Sequence, residues 1–211
     1  MDFFDVYALI ALFTFYTLLI SKSILTHQHG RKVLALGKGR KQLGQKFLEV
    51  SFYGGIVLLT YLVMAAVWRW PVFGINAVFY LYTHILGKIF GFVSLNFGII
   101  LFAFGLASFK DAWRIGVDEC HTDTLITDGV FTLSRNPIYL AMMLIFAGFF
   151  LSYPNFFFLG SLIFIVYAFN RQIRKEESLL ETLFGDRYRD YRSKTYRFFG
   201  KKSAAPNKKG P

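Results

Sequence analysis

Charge is scarce in this chain, and acid is scarcer than base. Only 18% of the 211 residues are charged, with 13 Asp and Glu against 24 Lys and Arg. A soluble domain carries nearer about 25% charge, so an ordinary water-facing globule is a poor description. Cysteine is almost missing: Cys120 stands alone, which excludes an internal disulfide. His27 and His29 stand apart from any acid, His121 reads as a surface residue, and no metal is expected. The N-terminus, Met1-Asp2-Phe3-Phe4-Asp5, lacks the cationic leader and small-residue cleavage pattern of a secretory signal. The first apolar run is therefore expected to remain as a span.

Apolar surface fills the space that charge leaves. The chain is 55% hydrophobic and 19% aromatic, and the excess lies in runs, the pattern of membrane spans. A net charge of +11 raises the question of nucleic acid. The basic residues flank apolar runs, however, which fits membrane orientation and contact with anionic lipid; no nucleic-acid partner is expected.

The runs predict an all-α membrane protein with five spans. Phe3 to Ile20, Phe47 to Trp68 and Lys88 to Phe109 each reach bilayer length. Pro137 to Ser152 and Asn155 to Phe169 are shorter and read as a helical hairpin turned at Tyr153-Pro154-Asn155. Its second arm meets no breaker before Gly185 and should continue out of the membrane as a polar helix. Residues 69–87 are apolar but interrupted by Pro71, Gly74, Asn76, His84 and Gly87. Seven basic residues in 22–46 and twelve in 171–211 place both segments in the cytoplasm by the positive-inside rule. That parity holds only if 72–86 lie at the interface or re-enter, and it puts the N-terminus outside. Residues 1–200 are expected to form one domain, with 201–211 a disordered basic tail.

Two polar stretches carry the chemistry. The first, Thr122 to Tyr139, ends in Ser134-Arg135-Asn136-Pro137-Ile138-Tyr139. Proline suits the first turn of a helix, so Arg135 and Asn136 should stand at a helix mouth where free N–H groups and positive potential attract anions. The second, residues 171–191, sets Glu176 and Glu177 behind Arg171 and Arg174. Neighbouring residues on a helix point about 100° apart, so one carboxylate should face the site and the other solvent or a basic partner. Tyr188 and Tyr191 should pack the last helix over the site.

In order, the chain shows Leu125-Ile126-Thr127, Gly129-Val130-Phe131, Arg135-Asn136-Pro137-Ile138-Tyr139, Glu176-Glu177-Ser178-Leu179, Phe184-Gly185 and Tyr188-Arg189-Asp190-Tyr191. Over about residues 110–198 this resembles the isoprenylcysteine carboxyl methyltransferase-like family of membrane enzymes, which includes phospholipid methyltransferases. Asn136 stands where eukaryotic members have histidine, and Phe131 where they have tyrosine. The resemblance implies S-adenosyl-L-methionine as cofactor, held in a cytoplasmic pocket between the 110–136 loop and the 171–198 helical tail. It places the cofactor on Asp123, Thr124, Leu125, Ile126, Phe131, Arg135, Asn136, Pro137, Ile138, Tyr139 and Glu176. It assigns catalysis to Arg171, Arg174, Glu176 and Glu177, with Arg171 or Arg174 approaching the acceptor. The acceptor implied is a lipophilic molecule arriving from the bilayer, above all a carboxylate as in isoprenylcysteine O-methylation. A phospholipid amine or a thiol is the alternative. A sterol-reductase-like enzyme using NADPH and a non-catalytic membrane scaffold are the readings from other classes.

Overall fold

A computed structural model of the protein describes residues 1–28, 43–72, 80–109 and 125–201, the side chains of 43–53 excepted. Six α-helices follow one another: α1 (Phe3–Gln28), α2 (Leu43–Trp68), α3 (Ile85–Ser108), α4 (Pro137–Ser152), α5 (Phe156–Phe184) and α6 (Asp186–Lys194). Among the described residues the fold is helical with no strand, and Thr195 and Lys201 form an isolated bridge. α1, α3 and α5 are long and apolar enough to cross a membrane; α4 and the Gly54–Trp68 part of α2 are shorter apolar helices. α1 continues past the expected end of the first run to Gln28. Most of the basic 22–46 segment, residues 73–79, residues 110–124 and the 202–211 tail lie outside the described residues.

Local chemistry fixes the ends of the hairpin. Pro137 occupies the first turn of α4, where its missing N–H costs nothing. Asn155 caps α5, its Oδ1 accepting from the Phe157 and Phe158 amides at 3.0 and 3.1 Å. Gly185 closes α5 at φ 49°, a left-handed conformation that suits glycine. The polar stretch 171–191 is thus two helices, bent at Gly185.

α3 and α4 share the most extensive helix interface of the fold, and glycine makes it close. Gly91, Gly98 and Gly105 recur every seven residues along α3. A Cβ on Gly98 would stand 3.0 Å from the Ala141 carbonyl oxygen, and one on Gly148 of α4 only 2.9 Å from the Leu95 amide nitrogen. Small residues that let two backbones meet are what hold helices together where lipid removes the usual hydrophobic gain.

The opposite end of the bundle is pinned by a buried acid. Asp5 is fully buried. Its carboxylate accepts from Tyr153 Oη at 3.0 Å, from Arg69 Nη2 at 3.1 Å and from the Asp2 amide at 2.9 Å. Lys88 pairs with Asp2, and the Leu81 amide donates to the Pro154 carbonyl at 2.6 Å. The starts of α1 and α3, the end of α2 and the α4–α5 turn therefore meet at one end. The start of α4 and the polar half of α5 are left at the other.

Candidate active site

At that second end the chain builds upward from a glycine. Gly129 opens a short 3-10 turn, Gly129–Thr132, at φ 60°, and a Cβ there would stand 2.5 Å from Ser108 Oγ. The close approach seats Phe131 edge-on to Phe109, ring centres 5.1 Å apart. Leu125, Ile126 and Val130 pack around Phe131 together with Tyr188 and Tyr191 of α6. Tyr191 Oη donates to the Phe131 carbonyl at 2.7 Å, and so α6 lies over the turn. Of the residues implied by the family resemblance, Asp123 and Thr124 lie outside the described residues.

Two carboxylates, adjacent in sequence, occupy two different environments. Glu177 is buried, with 7% of its surface exposed. Arg135 Nη2 reaches its Oε1 at 3.2 Å, and Asn136 Nδ2 donates to the same oxygen at 3.3 Å. Arg197 grips it from the far side, Nε at 3.1 Å and Nη2 at 2.5 Å from Oε2. Two cations thus face one anion. The hydrogen bond to Glu177 holds the Arg197 guanidinium above its ordinary pKa. Arg135 also donates from Nη1 to Tyr188 Oη at 3.4 Å. Burial first, and then the Glu177 charge, push the Tyr188 phenol above its usual range.

Glu176 turns into the bundle as well, but without a cation. Its Oε1 accepts from Tyr139 Oη and, at 3.1 Å, from Gln172 Nε2. Tyr139 itself stands edge-on to Phe169 at 5.1 Å. Both partners of this carboxylate are neutral, in contrast to Glu177. Neither glutamate points to solvent, as the helical spacing had allowed for one of them.

A strap made of residues 195–201 closes the arrangement. The Arg135 amide donates to the Tyr196 carbonyl at 3.1 Å and the Gly200 amide to the Leu133 carbonyl at 2.7 Å. Asn136 Nδ2 also reaches the Arg197 carbonyl at 3.2 Å. Arg197 is the site residue that sequence reading passed over. Its signal was a lone arginine past the last helix, with no acid beside it. Arg171 and Arg174, which the resemblance sets near the acceptor, are exposed; Arg171 donates to Tyr167 Oη at 3.3 Å. Pro137 and Ile138 are placed by packing, Ile138 against Gly105 of the α3 seam.

Two buried polar atoms lack a partner among the described residues: Arg135 Nε and Gln172 Oε1. One is a donor beside the cationic cluster and the other an acceptor beside the anionic one. Buried polar atoms are rarely left unpaired.

The phospholipid methyltransferase family model matches residues 86–187, which run from the first turn of α3 into α6. Over that segment the chain is similar to the phospholipid methyltransferase family. No curated protein matches the chain. The match takes in Arg135, Asn136, Glu176 and Glu177 but stops before Arg197.

Proposed function

We propose that this protein transfers a methyl group from S-adenosylmethionine to a membrane lipid. The observation that carries the reading is the separation of charge across one helical step. Around Glu177 two guanidiniums outnumber one carboxylate; at Glu176 one carboxylate has only neutral partners. S-adenosylmethionine has the matching polarity, a carboxylate at one end and ammonium and sulfonium cations near it. Its chemistry, when bound, is an electrophilic methyl group on sulfur. Arg135 would hold the carboxylate, using the Nε donor that no described residue satisfies. Glu177, itself held by Asn136, fixes the guanidinium, and Phe131 and Tyr139 wall the adenosyl side. Methyl transfer from a sulfonium asks mainly for alignment and exclusion of water.

Glu176 bears on the acceptor. An amine head group reaches the site protonated, and a buried carboxylate with a tyrosine at hand is suited to take that proton before transfer. A carboxylate acceptor, as in isoprenylcysteine O-methylation, needs no base and would be drawn to the two-arginine side. The cation excess at Glu177 supports that second reading. Membrane extract incubated with the enzyme and methyl-labelled cofactor separates the two. Label in lipid that survives mild base marks an amine product, and label released as methanol marks an ester. No lipid-soluble label from any extract refutes methyl transfer to lipid. Glu176→Gln should slow the amine reaction at least tenfold, consistent with loss of a general base.

In this reading all five apolar helices cross the bilayer, with the N-terminus outside and the site on the cytoplasmic face. A cysteine replacing Trp70 should react with an impermeant reagent in intact cells, and one replacing Tyr196 should not. The reverse pattern inverts the topology.

A further inference from the structure

A stripe on the outer face of α5 changes character along its length. Phe156, Ile163 and Tyr167 are 66%, 62% and 60% exposed and Gly160 is exposed too. The same stripe then becomes cationic. Arg171 and Arg174 are exposed and Lys175 is half-buried, at the three- and four-residue spacing that puts side chains on one helix face. Exposed Ser178 and Thr182 complete it. Arg171 leans back on the Tyr167 hydroxyl at 3.3 Å. An apolar run ending in an exposed tyrosine with cations one turn beyond, about 6 Å, is the profile of a helix leaving hydrocarbon for head groups.

The acids near these cations are committed elsewhere. Glu176 is bonded to Tyr139 and Gln172, Glu177 to Arg135 and Arg197, and Glu181, two turns past Arg174, to Arg192. Among the described residues no carboxylate pairs with Arg171, Arg174 or Lys175. The cations therefore face outward without a carboxylate partner among the described residues, beside exposed apolar surface.

We propose that Arg171, Arg174 and Lys175, with Tyr167 below them, form a docking site for the head group of an anionic phospholipid in the surrounding leaflet. The lipid's acyl chains lie along Phe156, Ile163 and Tyr167. Its phosphate sits between the two guanidiniums, where planar donors match phosphate oxygens. A net-negative lipid is favoured over a zwitterionic one because no acid on the stripe offers the ammonium of a zwitterion a partner. The site is separate from the methyl-transfer cluster, and Arg171 and Arg174 serve in it rather than at the acceptor.

The test uses the full chain in phosphatidylcholine nanodiscs containing spin-labelled phosphatidylglycerol or phosphatidylcholine, with no cofactor. The association constant for phosphatidylglycerol should exceed that for phosphatidylcholine roughly fivefold, one cation's worth of attraction. R171Q/R174Q/K175Q should bring the ratio near one, while R187Q/K201Q, off the stripe, should retain most of it. An unchanged ratio in the triple glutamine variant overturns the proposal. So does equal selectivity loss in R187Q/K201Q, which would make the effect one of net charge. Loss of selectivity on adding inorganic phosphate at constant ionic strength would assign the site to free phosphate instead, and overturn it too. Because the readout involves no methyl transfer, it stands or falls apart from the enzymatic reading.

Discussion

Glutamine at position 177 removes one charge from the centre of the cluster and keeps its shape. In the wild type that carboxylate faces Arg135, whose side chain is only 7% exposed, and Arg197, whose side chain is 38% exposed. The two arginines should respond differently. Stranding a buried cation by deleting its partner costs about 3–5 kcal/mol. A half-exposed pair is worth only about 0–1 kcal/mol. Glu177→Gln retains an acceptor oxygen, so a loss near ~3 kcal/mol is expected, nearly all of it owed to Arg135. Arg197→Ala should cost no more than ~1 kcal/mol. Adding Arg135→Met to Glu177→Gln removes the stranded cation, and the double variant should regain most of what the single one lost. Unfolding of the purified protein in mixed micelles by a denaturing detergent, followed by helical circular dichroism, measures all three. The reasoning is refuted if Glu177→Gln matches the wild type within ~0.5 kcal/mol, or if the double variant is no more stable than the single one.

Three further outcomes follow from the geometry. Gly148→Ala drives a methyl group against the α3 backbone and should cost ~1–3 kcal/mol, whereas Gly160→Ala, with open space around it, should be neutral or gain up to ~1 kcal/mol; equal effects would discount the glycine seam. Arg135→Ala should weaken binding of S-adenosylhomocysteine about ten- to a hundredfold by calorimetry with helix content unchanged, and an unaltered Kd would remove Arg135 from the cofactor site. Burial raises the phenols of Tyr188 and Tyr191, so the protonated form belongs to the folded state. Their stabilisation is complete below the free tyrosine value of about 10 and falls as pH climbs from there through the raised folded-state values. Ultraviolet titration should show this alkaline loss in the wild type and its absence in Tyr188→Phe/Tyr191→Phe.

The hairpin was legible because its signals are local. Pro137, the Tyr153-Pro154-Asn155 turn and the unbroken stretch to Gly185 each act within a turn of helix, and α4 and α5 begin and end where those residues put them. The packing of the last helix through Tyr188 and Tyr191 was expected too, and both tyrosines lie against Phe131. Arg197 was not, because Glu177 lies 20 residues and a helix break away. The buried Asp5 escaped notice for the same reason: an acid near an N-terminus reads as water-facing until Arg69, 64 residues on, is brought beside it. Arg171 and Arg174, which the resemblance set near the acceptor, are exposed on α5. They precede Glu176 by five and two residues, at angles that turn them about 140–160° away from it around the helix. The seven-residue spacing of Gly91, Gly98 and Gly105 was open to view but is quiet in hydropathy, where glycine scarcely registers against leucine and phenylalanine.

The strap at 195–201 sets an order of events in biosynthesis. The α3–α4 seam joins residues that leave the ribosome close together, and it can form once residue 152 is in place. The Arg135 amide must wait for Tyr196, and Leu133 for Gly200. Until then Glu177 has lost one of its two guanidiniums and Asn136 one of its carbonyl partners. The helices can therefore be inserted and packed while the reactive centre is still open. A chain that stalls before residue 195 would have its α3–α4 seam but lack the contacts that Tyr196, Arg197 and Gly200 bring to residues 133–136 and Glu177. The charge cluster around Glu177 is thus the last of these contacts to be completed.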